Sequence, residues 1–562
     1  MKFDQARGLR LSMSWLHTWS GLVLGWLLFA IFVTGTLSFF RNEITFWMQP
    51  ELHHADSAHV DLERAVAVLQ QEAAGAAQWS ITLPGPRNPT LGLGWQAPGK
   101  NDARTEHGQG GGRGVRLVLD PASGEKLVGR ETAGGNFLYR FHFELYGMDR
   151  IWARWIVGIA TMLMLVAIIT GVIVHRNIFK DFFTFRPAKG KRSWLDAHNA
   201  SSVLSLPFHF VITFSGLLLF GNMIFPSAMQ RAYHGDTSAF MQEARGRMAT
   251  SATPPPSGES APLADLAPLV AVAETAWGGR PAGSLTITHP GDRRAVVEVR
   301  QARGMSLTGG RNSTQSLRFE GVSGRLLDAV PPPPPSIVQS ISNVFMMLHR
   351  GLFASPVPRW LLFVAGIGGS LMIATGLAMW SAARGKDRAA DGRIPFGQRL
   401  VEVLNVAGVA GLMIALGAYL WASRLIPADM PHRNDWEIRV FFYSWLLTFG
   451  YALVRRHKAA WVGELGCAGA LIVLLPVLNA CSGGRSLFAS VGSGQWLLAS
   501  FDLCALVIGG SLILAARKVA LHTPKVRAAK CAHHKATPDA DTLPAAVASF
   551  PSFAPVPAEE SA

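Results

Sequence analysis

WLDAHNASSVLSLPFHFVITFSGLLLF, residues 194–220, places two histidines at the start of an otherwise apolar run. His198 and His209 are eleven residues apart. Read as one straight helix, at about 1.5 Å and about 100° per residue, the spacing predicts both imidazoles on one face, about 16 Å apart in depth. Ionisable side chains inside a bilayer are rare and usually functional.

The surrounding sequence is that of a polytopic α-helical membrane protein. Of 562 residues, 49% are hydrophobic and only 16% charged. Apolar runs at about 18–40, 153–175, 203–225, 359–383, 402–423, 438–455, 462–480 and 495–516 predict eight transmembrane helices. The sixth lies between Arg439 and Arg455 and spans only if Arg439 snorkels or the bilayer thins. Asp502 interrupts the eighth.

Basic residues flank alternate ends of these runs: Lys2, Arg7 and Arg10, then 175–192, 384–393, 455–458 and 517–530. The positive-inside rule makes that side cytoplasmic, with both termini on it, and the expected location is the bacterial inner membrane. The net charge of +15 then reflects topology and anionic lipid contact; no nucleic-acid motif is present. The first run is too long for a secretory signal and no small-residue cleavage site follows it. Neither outside segment contains a cysteine, so no disulfides are expected there. CxxC and CxxCH are absent, which excludes covalent c-type haem attachment. The Gly-rich run 108–114 lacks the Lys-Ser/Thr of a phosphate loop.

The expected order is an N-terminus and first span (1–40), an outside module (41–150), and the second span, a basic loop and the third span (151–225). A second outside module (226–358), the fourth span with its loop (359–400), C-terminal helices five to eight (401–516) and a basic, then disordered tail (517–562) follow. Each outside segment opens with a helical pattern, 61–75 and 262–279, and continues into strand, turn, strand around Ser-Gly, 116–129 and 315–330. Two small α+β modules are predicted.

The membrane part is duplicated. His17 precedes Thr34-Gly35 by 17 residues, and His198 precedes Ser215-Gly216 by 17. His142, Arg154-Trp155 and Thr170-Gly171 in turn match His349, Arg359-Trp360 and Thr375-Gly376. Residues 1–400 thus read as two copies of helix, module, helix, and duplication sets paired histidines about a pseudo-two-fold axis.

Two imidazoles fill both axial positions of a haem that cycles between Fe(III) and Fe(II) without binding oxygen, and helix bundles supply such ligands from facing helices. The candidate ligands of haem iron are His17, His142, His175, His198, His209 and His349: His142 and His349 toward the outside, His17, His175 and His198 toward the cytoplasmic ends. No flavin or nicotinamide module is recognisable, so electrons are expected from a membrane quinol or another donor. His53, His54, His107, His533 and His534 are assigned to solvent, the aromatic residues of 15–47 and 436–445 to interfacial belts, and Asp502 either to a proton relay or to an interface.

The segments WLHTWSGLVLGW (15–26), HRNIFKDFFTFRP (175–187), WLDAHNASSVLSLPFHFVITFSGL (194–217) and LHRGLF (348–353) resemble the PepSY-associated transmembrane helix family, in particular its iron-regulated siderophore-reductase branch. The resemblance covers about 10–385. It implies haem b, two per chain, held by His17, His142, His198 and His349, with His175 and His209 matching the reductase branch. It further implies PepSY modules in the periplasm and one-electron reduction of Fe(III) in a ferric siderophore. The alternatives are a haem-free PepSY protein that binds peptide or modulates a protease or signal, and a quinone-linked cytochrome serving another periplasmic acceptor.

Overall fold

A computed structural model describes residues 2–96, 117–175, 186, 191–236, 238–239, 255–302, 306–310, 313–331, 334–384 and 394–522. The Gly-rich run 108–114, His107, most of the basic loops 175–192 and 384–393, and the tail beyond 522 lie outside the described residues. Residues Met1–Ala520 form one compact unit.

Five helices are long and apolar enough to cross a membrane: Arg150–Val174, Pro356–Arg384, Phe396–Leu425, His457–Cys481 and Trp496–Leu521. Two bent pairs raise the number to seven if each is one span: Gly8–Val23 with Gly25–Ser38, bent by 65°, and Arg192–Leu204 with Leu206–Leu219, bent by 68°. Helix Arg433–Val454, at the expected sixth span, is not among them. Arg433, Asp435, Glu437 and Arg439 crowd its first turns.

The second bend corrects the opening expectation. His198 and His209 belong to two helices separated at Ser205, not to one face of a straight helix. Pro207 is the physical cause: it has no N–H to continue the ladder, and its ring crowds the carbonyl four residues back. In the other repeat Leu24 stands at the break, just before Gly25. Both breaks come seven residues after the repeated histidine, His17 or His198.

The bends let the repeats exchange partners. Before its break, each helix packs within its own repeat: Lys2–Val23 on Arg150–Val174, and Lys191–Leu204 on Pro356–Arg384. After it, Gly25–Ser38 packs on Pro356–Arg384 and Leu206–Leu219 on Arg150–Val174. Two shorter helices complete the symmetry, Gly134–Glu144 against Gly25–Ser38 and Ile337–Arg350 against Leu206–Leu219.

The segments 41–150 and 226–358 join in one sheet. Strands β1 (Gln78–Thr82), β2 (Leu91–Gln96), β3 (Leu117–Leu119), β4 (Lys126–Leu127), β5 (Ala282–Thr288), β6 (Val296–Gln301), β7 (Ser316–Glu320) and β8 (Leu326–Val330) are ordered β4-β3-β2-β1-β5-β6-β7-β8. All pairings are antiparallel, and β1 pairs β5 in the middle with Ile81 opposite Leu285. Alternate residues Trp79, Ile81, Leu285, Ile287, Val297 and Val299 turn to one core. Helices Leu62–Glu72 and Leu266–Ala276 cover it, N-capped by Asp61 and Asp265. The expected helices and strand, turn, strand units are present, as one eight-stranded sheet instead of two separate modules.

Buried polar contacts tie the C-terminal helices to the first repeat. Arg433 and Glu437 form an ion pair with both side chains at 0% exposure. Glu437 also accepts from Thr132 Oγ1 at 2.7 Å and from the Ala133 amide at 3.0 Å. Tyr419 donates to the Gly134 carbonyl at 2.8 Å. Trp47 Nε1 donates to Asp502 at 2.9 Å, so Asp502 is a buried acceptor at a helix contact.

Candidate functional site

Four of the six candidate histidines form two pairs, each joining the two repeats. The ring centres of His17 and His198 are 6.2 Å apart, and those of His142 and His349 are 6.0 Å apart.

All four rings are seated alike. Nδ1 of His17 lies 2.8 Å from the Ala167 carbonyl, that of His142 2.8 Å from Ile31, that of His198 2.8 Å from Met372, and that of His349 3.0 Å from Ile212. Every acceptor stands four residues before a glycine, Gly171, Gly35, Gly376 and Gly216 respectively. The same ring rests on that glycine: an added Cβ would approach Cε1 to 3.1, 2.6, 3.1 and 3.2 Å in the same order. The preceding hydroxyl residue bonds back to its own helix. Thr170, Thr34, Thr375 and Ser215 donate to the carbonyls of Val166, Ala30, Leu371 and Val211 at 2.6–2.7 Å, the i−4 position. They also lie 3.0–3.3 Å from the carbonyl that receives the histidine.

The chemistry follows from this seat. A backbone carbonyl that accepts from Nδ1–H fixes the tautomer and leaves the Nε2 lone pair for a metal. Glycine allows the ring to reach a carbonyl inside a helix contact that a side chain would hold open. Two imidazoles on opposite sides of one metal, with metal–nitrogen bonds of about 2.0 Å, have ring centres about 6 Å apart. Both pairs therefore have the ring spacing that two histidines holding one haem iron would need. Among the described residues, no three His, Cys, Asp or Glu side chains gather as a small-ion site does.

His142 and His349 line a cavity of ≈ 1040 Å³ at the sheet side of the helices. Its wall is largely apolar and aromatic, with Phe32, Phe39, Phe208 and Trp360. Its charged lining is five arginines, Arg41, Arg87, Arg154, Arg350 and Arg359, against one acid, Glu43. Arg87 reaches it from the β1–β2 connection and holds Glu43 through Nε at 2.6 Å and Nη2 at 2.7 Å. Arg41 and Arg350 lie over the Tyr139 ring, at 4.9 and 5.4 Å from its centre.

Among the described residues, neither of the other two candidates forms such a ring pair with a histidine. His209 is 0% exposed, and neither ring nitrogen has a hydrogen bond of ordinary geometry; the Ala365 backbone is a weaker electrostatic partner. It packs edge-on to Phe32, with ring centres 6.0 Å apart, and an added Cβ at Gly369 would come 3.0 Å from its Nε2. One turn on from His209, Ile212 receives His349. His175 accepts from Asn199 Nδ2 at 3.2 Å and lies within electrostatic reach of His198.

Several readings of single residues change. His53 is buried, with Nε2 on the Phe46 carbonyl at 2.9 Å and Nδ1 accepting from the Arg485 amide at 3.3 Å, while His54 is exposed as expected. Trp47 and Phe441, expected in aromatic belts, are fully buried between helices, whereas Trp15 and Trp19 are exposed. The Thr/Ser-Gly pairs that align the repeats are themselves the seats: Thr34-Gly35 takes His142, Thr170-Gly171 takes His17, Ser215-Gly216 takes His349 and Thr375-Gly376 takes His198.

The family model for the PepSY-associated TM region matches residues 14–383, which include both bends, the sheet and all four paired histidines. The chain belongs to the PepSY-associated TM region family. The repeated seats all fall within the PepSY-associated region, and the helices from Phe396 onward lie beyond it. No curated protein matches the chain.

Proposed function

We propose that this membrane protein is a b-haem oxidoreductase that carries electrons across the bacterial inner membrane. It reduces the Fe(III) of a ferric siderophore to Fe(II) in the periplasm and so releases the iron. The observation that carries the reading is the fourfold histidine seat, which yields two pairs with the spacing of axial ligands at two depths. His17 and His198 would hold one haem on the basic, cytoplasmic side, and His142 and His349 the second beneath the periplasmic sheet. Haem b held there would supply one-electron exchange between Fe(III) and Fe(II).

The chain's own residues do the rest. The four carbonyls orient the imidazoles, and the glycines set their approach. His209, Phe32 and Phe208 occupy the layer next to the outer pair. The arginine-rich wall of the outer cavity favours anionic groups, whether haem propionates or a chelate. A siderophore's hard oxygen donors hold Fe(III) far more tightly than the softer Fe(II), so one electron is enough to weaken the complex. With no nucleotide module in view, a membrane quinol is the proposed donor.

The test mixes reduced, detergent-purified protein anaerobically with hydroxamate and catecholate ferric chelates, with Fe(II) trapped by a coloured ligand. Expected is haem reoxidation with one Fe(II) formed per electron. Reoxidation by other acceptors but by no ferric chelate would replace the siderophore reading with that of a cytochrome serving a different acceptor.

A further inference from the structure

Buried titratable side chains are incompletely partnered at one place in the C-terminal helices. Glu464 is 2% exposed, and neither of its carboxylate oxygens has a hydrogen-bond partner. Glu402, also buried, accepts from Gln398 at 3.3 Å through Oε1, while its Oε2 has only the Arg399 guanidinium at 3.8 Å. His457 accepts from Trp461 Nε1 at 3.3 Å through Nε2, and its Nδ1 is buried without a partner. His457, Trp461 and Glu464 are spaced i, i+4, i+7 on one face of helix His457–Val473. Glu464 thus lies about 10 Å inward from His457, which adjoins the basic stretch 455–458.

The element beside Glu464 is a π-helical turn, Val406–Gly411. Such turns inside α-helices occur frequently at functional sites. At its far end an added Cβ on Gly411 would meet Glu464 Oε2 at 3.2 Å and Thr448 Oγ1 at 2.2 Å. At its near end, the side chain of Asn405 accepts from Trp26 Nε1 at 2.8 Å and donates to the Leu377 carbonyl at 3.2 Å and Ser381 Oγ at 2.8 Å. Leu377 follows Gly376, the seat of His198. Asn405, just before this six-residue turn, thus touches the helix that seats His198, and Gly411 at its other end adjoins the unpaired carboxyl.

The titratable groups around Glu464 are few. Helix Arg433–Val454 brings Tyr451 and, at its end, Arg455, and helix Phe396–Asn405 brings Arg399 and Glu402. Cys467 stands on the same helix as Glu464. Helix Trp496–Leu521 brings Cys504 and, at its basic end, Arg517 and Lys518, while its Asp502 is engaged by Trp47 and Asn479. None of these described residues bonds to Glu464. An unpaired anion in such surroundings is costly, and a ferric inner pair would add positive charge beside the helix that Asn405 contacts at Leu377.

We propose that Glu464 is a proton-binding site linked to the redox state of the His17–His198 centre, loaded from the basic face past His457 and Glu402. The electron, from a membrane hydroquinone or from dithionite in the test, converts Fe(III) to Fe(II). A proton from water on the basic face converts the Glu464 carboxylate to the acid, so the net charge of the membrane interior is unchanged. The inference rests on the haem reading of the inner pair.

The test is a redox titration of the full-length, haem-loaded protein at several pH values, paired with reduced-minus-oxidised infrared spectra. In the wild type, one of two haems should fall in midpoint as pH rises, by up to about 59 mV for each tenfold fall in proton concentration, and a carboxylic-acid carbonyl band should appear on reduction. Glu464→Gln should keep two haems, lose the band and flatten the dependence. His457→Phe should slow proton uptake, followed with a pH indicator, and leave the midpoint as in the wild type. Two haems with pH-independent midpoints and no band in the wild type would overturn this inference alone, even if Glu464→Gln fails to fold; the same dependence and band in Glu464→Gln would overturn it too. A haem-free protein would overturn it together with the proposed function.

Discussion

Gly35 lies directly against the His142 ring: a Cβ there would come within 2.6 Å of Cε1, against 3.1 Å for Gly171 and His17. The ring cannot simply swing aside, because Nδ1 is bound to Ile31 on the same helix as Gly35. Gly35→Ala must break that bond, worth about 1 kcal/mol net, or displace the helix. Gly171→Ala needs a shift of only a few tenths of an ångström. Haem quantified per chain should therefore fall from about two to about one in Gly35→Ala and stay near two in Gly171→Ala; the reverse order would show that the seats do not govern ligation.

His209 is more deeply buried than the paired histidines, and the ring against it is Phe32, not a second imidazole. His209→Leu, which suits the apolar surroundings, should leave haem content at about two per chain and alter midpoints or the rate of electron passage instead. A loss of one haem in this variant would make His209 a ligand.

The Arg433–Glu437 pair is sealed from solvent and holds the C-terminal helices on Thr132 and Ala133. Removing one partner strands the other charge, at a cost of roughly 3–5 kcal/mol. Arg433→Met should lower the thermal unfolding midpoint in detergent markedly, whereas the double change Arg433→Met/Glu437→Leu should recover much of the loss. Equal midpoints for the single variant and the wild type would mean that this pair does not hold the block in place.

How far the sequence reveals this structure depends on whether a feature is local. The four paired histidines are legible because duplication repeats their distance to Thr-Gly or Ser-Gly, and the capped helices and Ser-Gly turns of the sheet are written in short motifs. The pairing of His17 with His198 is not, because it depends on Ser205 and Leu24 as breaks between helices. Pro207 signals the first break, but a single proline is compatible with a straight span that tolerates a kink. The joining of the segments 41–150 and 226–358 through β1 and β5 depends on contacts some two hundred residues apart. His53 looked like a solvent residue for the same reason: the Arg485 amide beside it comes from the far end of the chain.

Acid should probe the sheet selectively at Asp292. The Ser257 amide, with those of Arg294 and Gly258 and the Ser257 hydroxyl, donates to its carboxylate at 2.7–3.0 Å and holds the carboxyl well below the ordinary range. A carboxyl with a depressed folded-state pKa adds stability that is fully present above its unfolded value of about 3.9 and is lost as pH falls through the lower folded value. Asp292→Asn should thus weaken hydrogen-exchange protection of β5 and β6 at neutral pH, and its difference from the wild type should shrink below about pH 4. A difference unchanged by acid would rule out the carboxylate as its source.

The most direct measurement is the absorption spectrum of the purified full-length protein, oxidised and dithionite-reduced, with haem quantified per chain in the wild type, His198→Ala and His142→Ala. The account predicts a reduced spectrum typical of bis-imidazole b haem, about two haems in the wild type and about one in each variant. A folded, monodisperse wild-type protein that contains no haem when produced in haem-replete cells, or full loading in both variants, would contradict it.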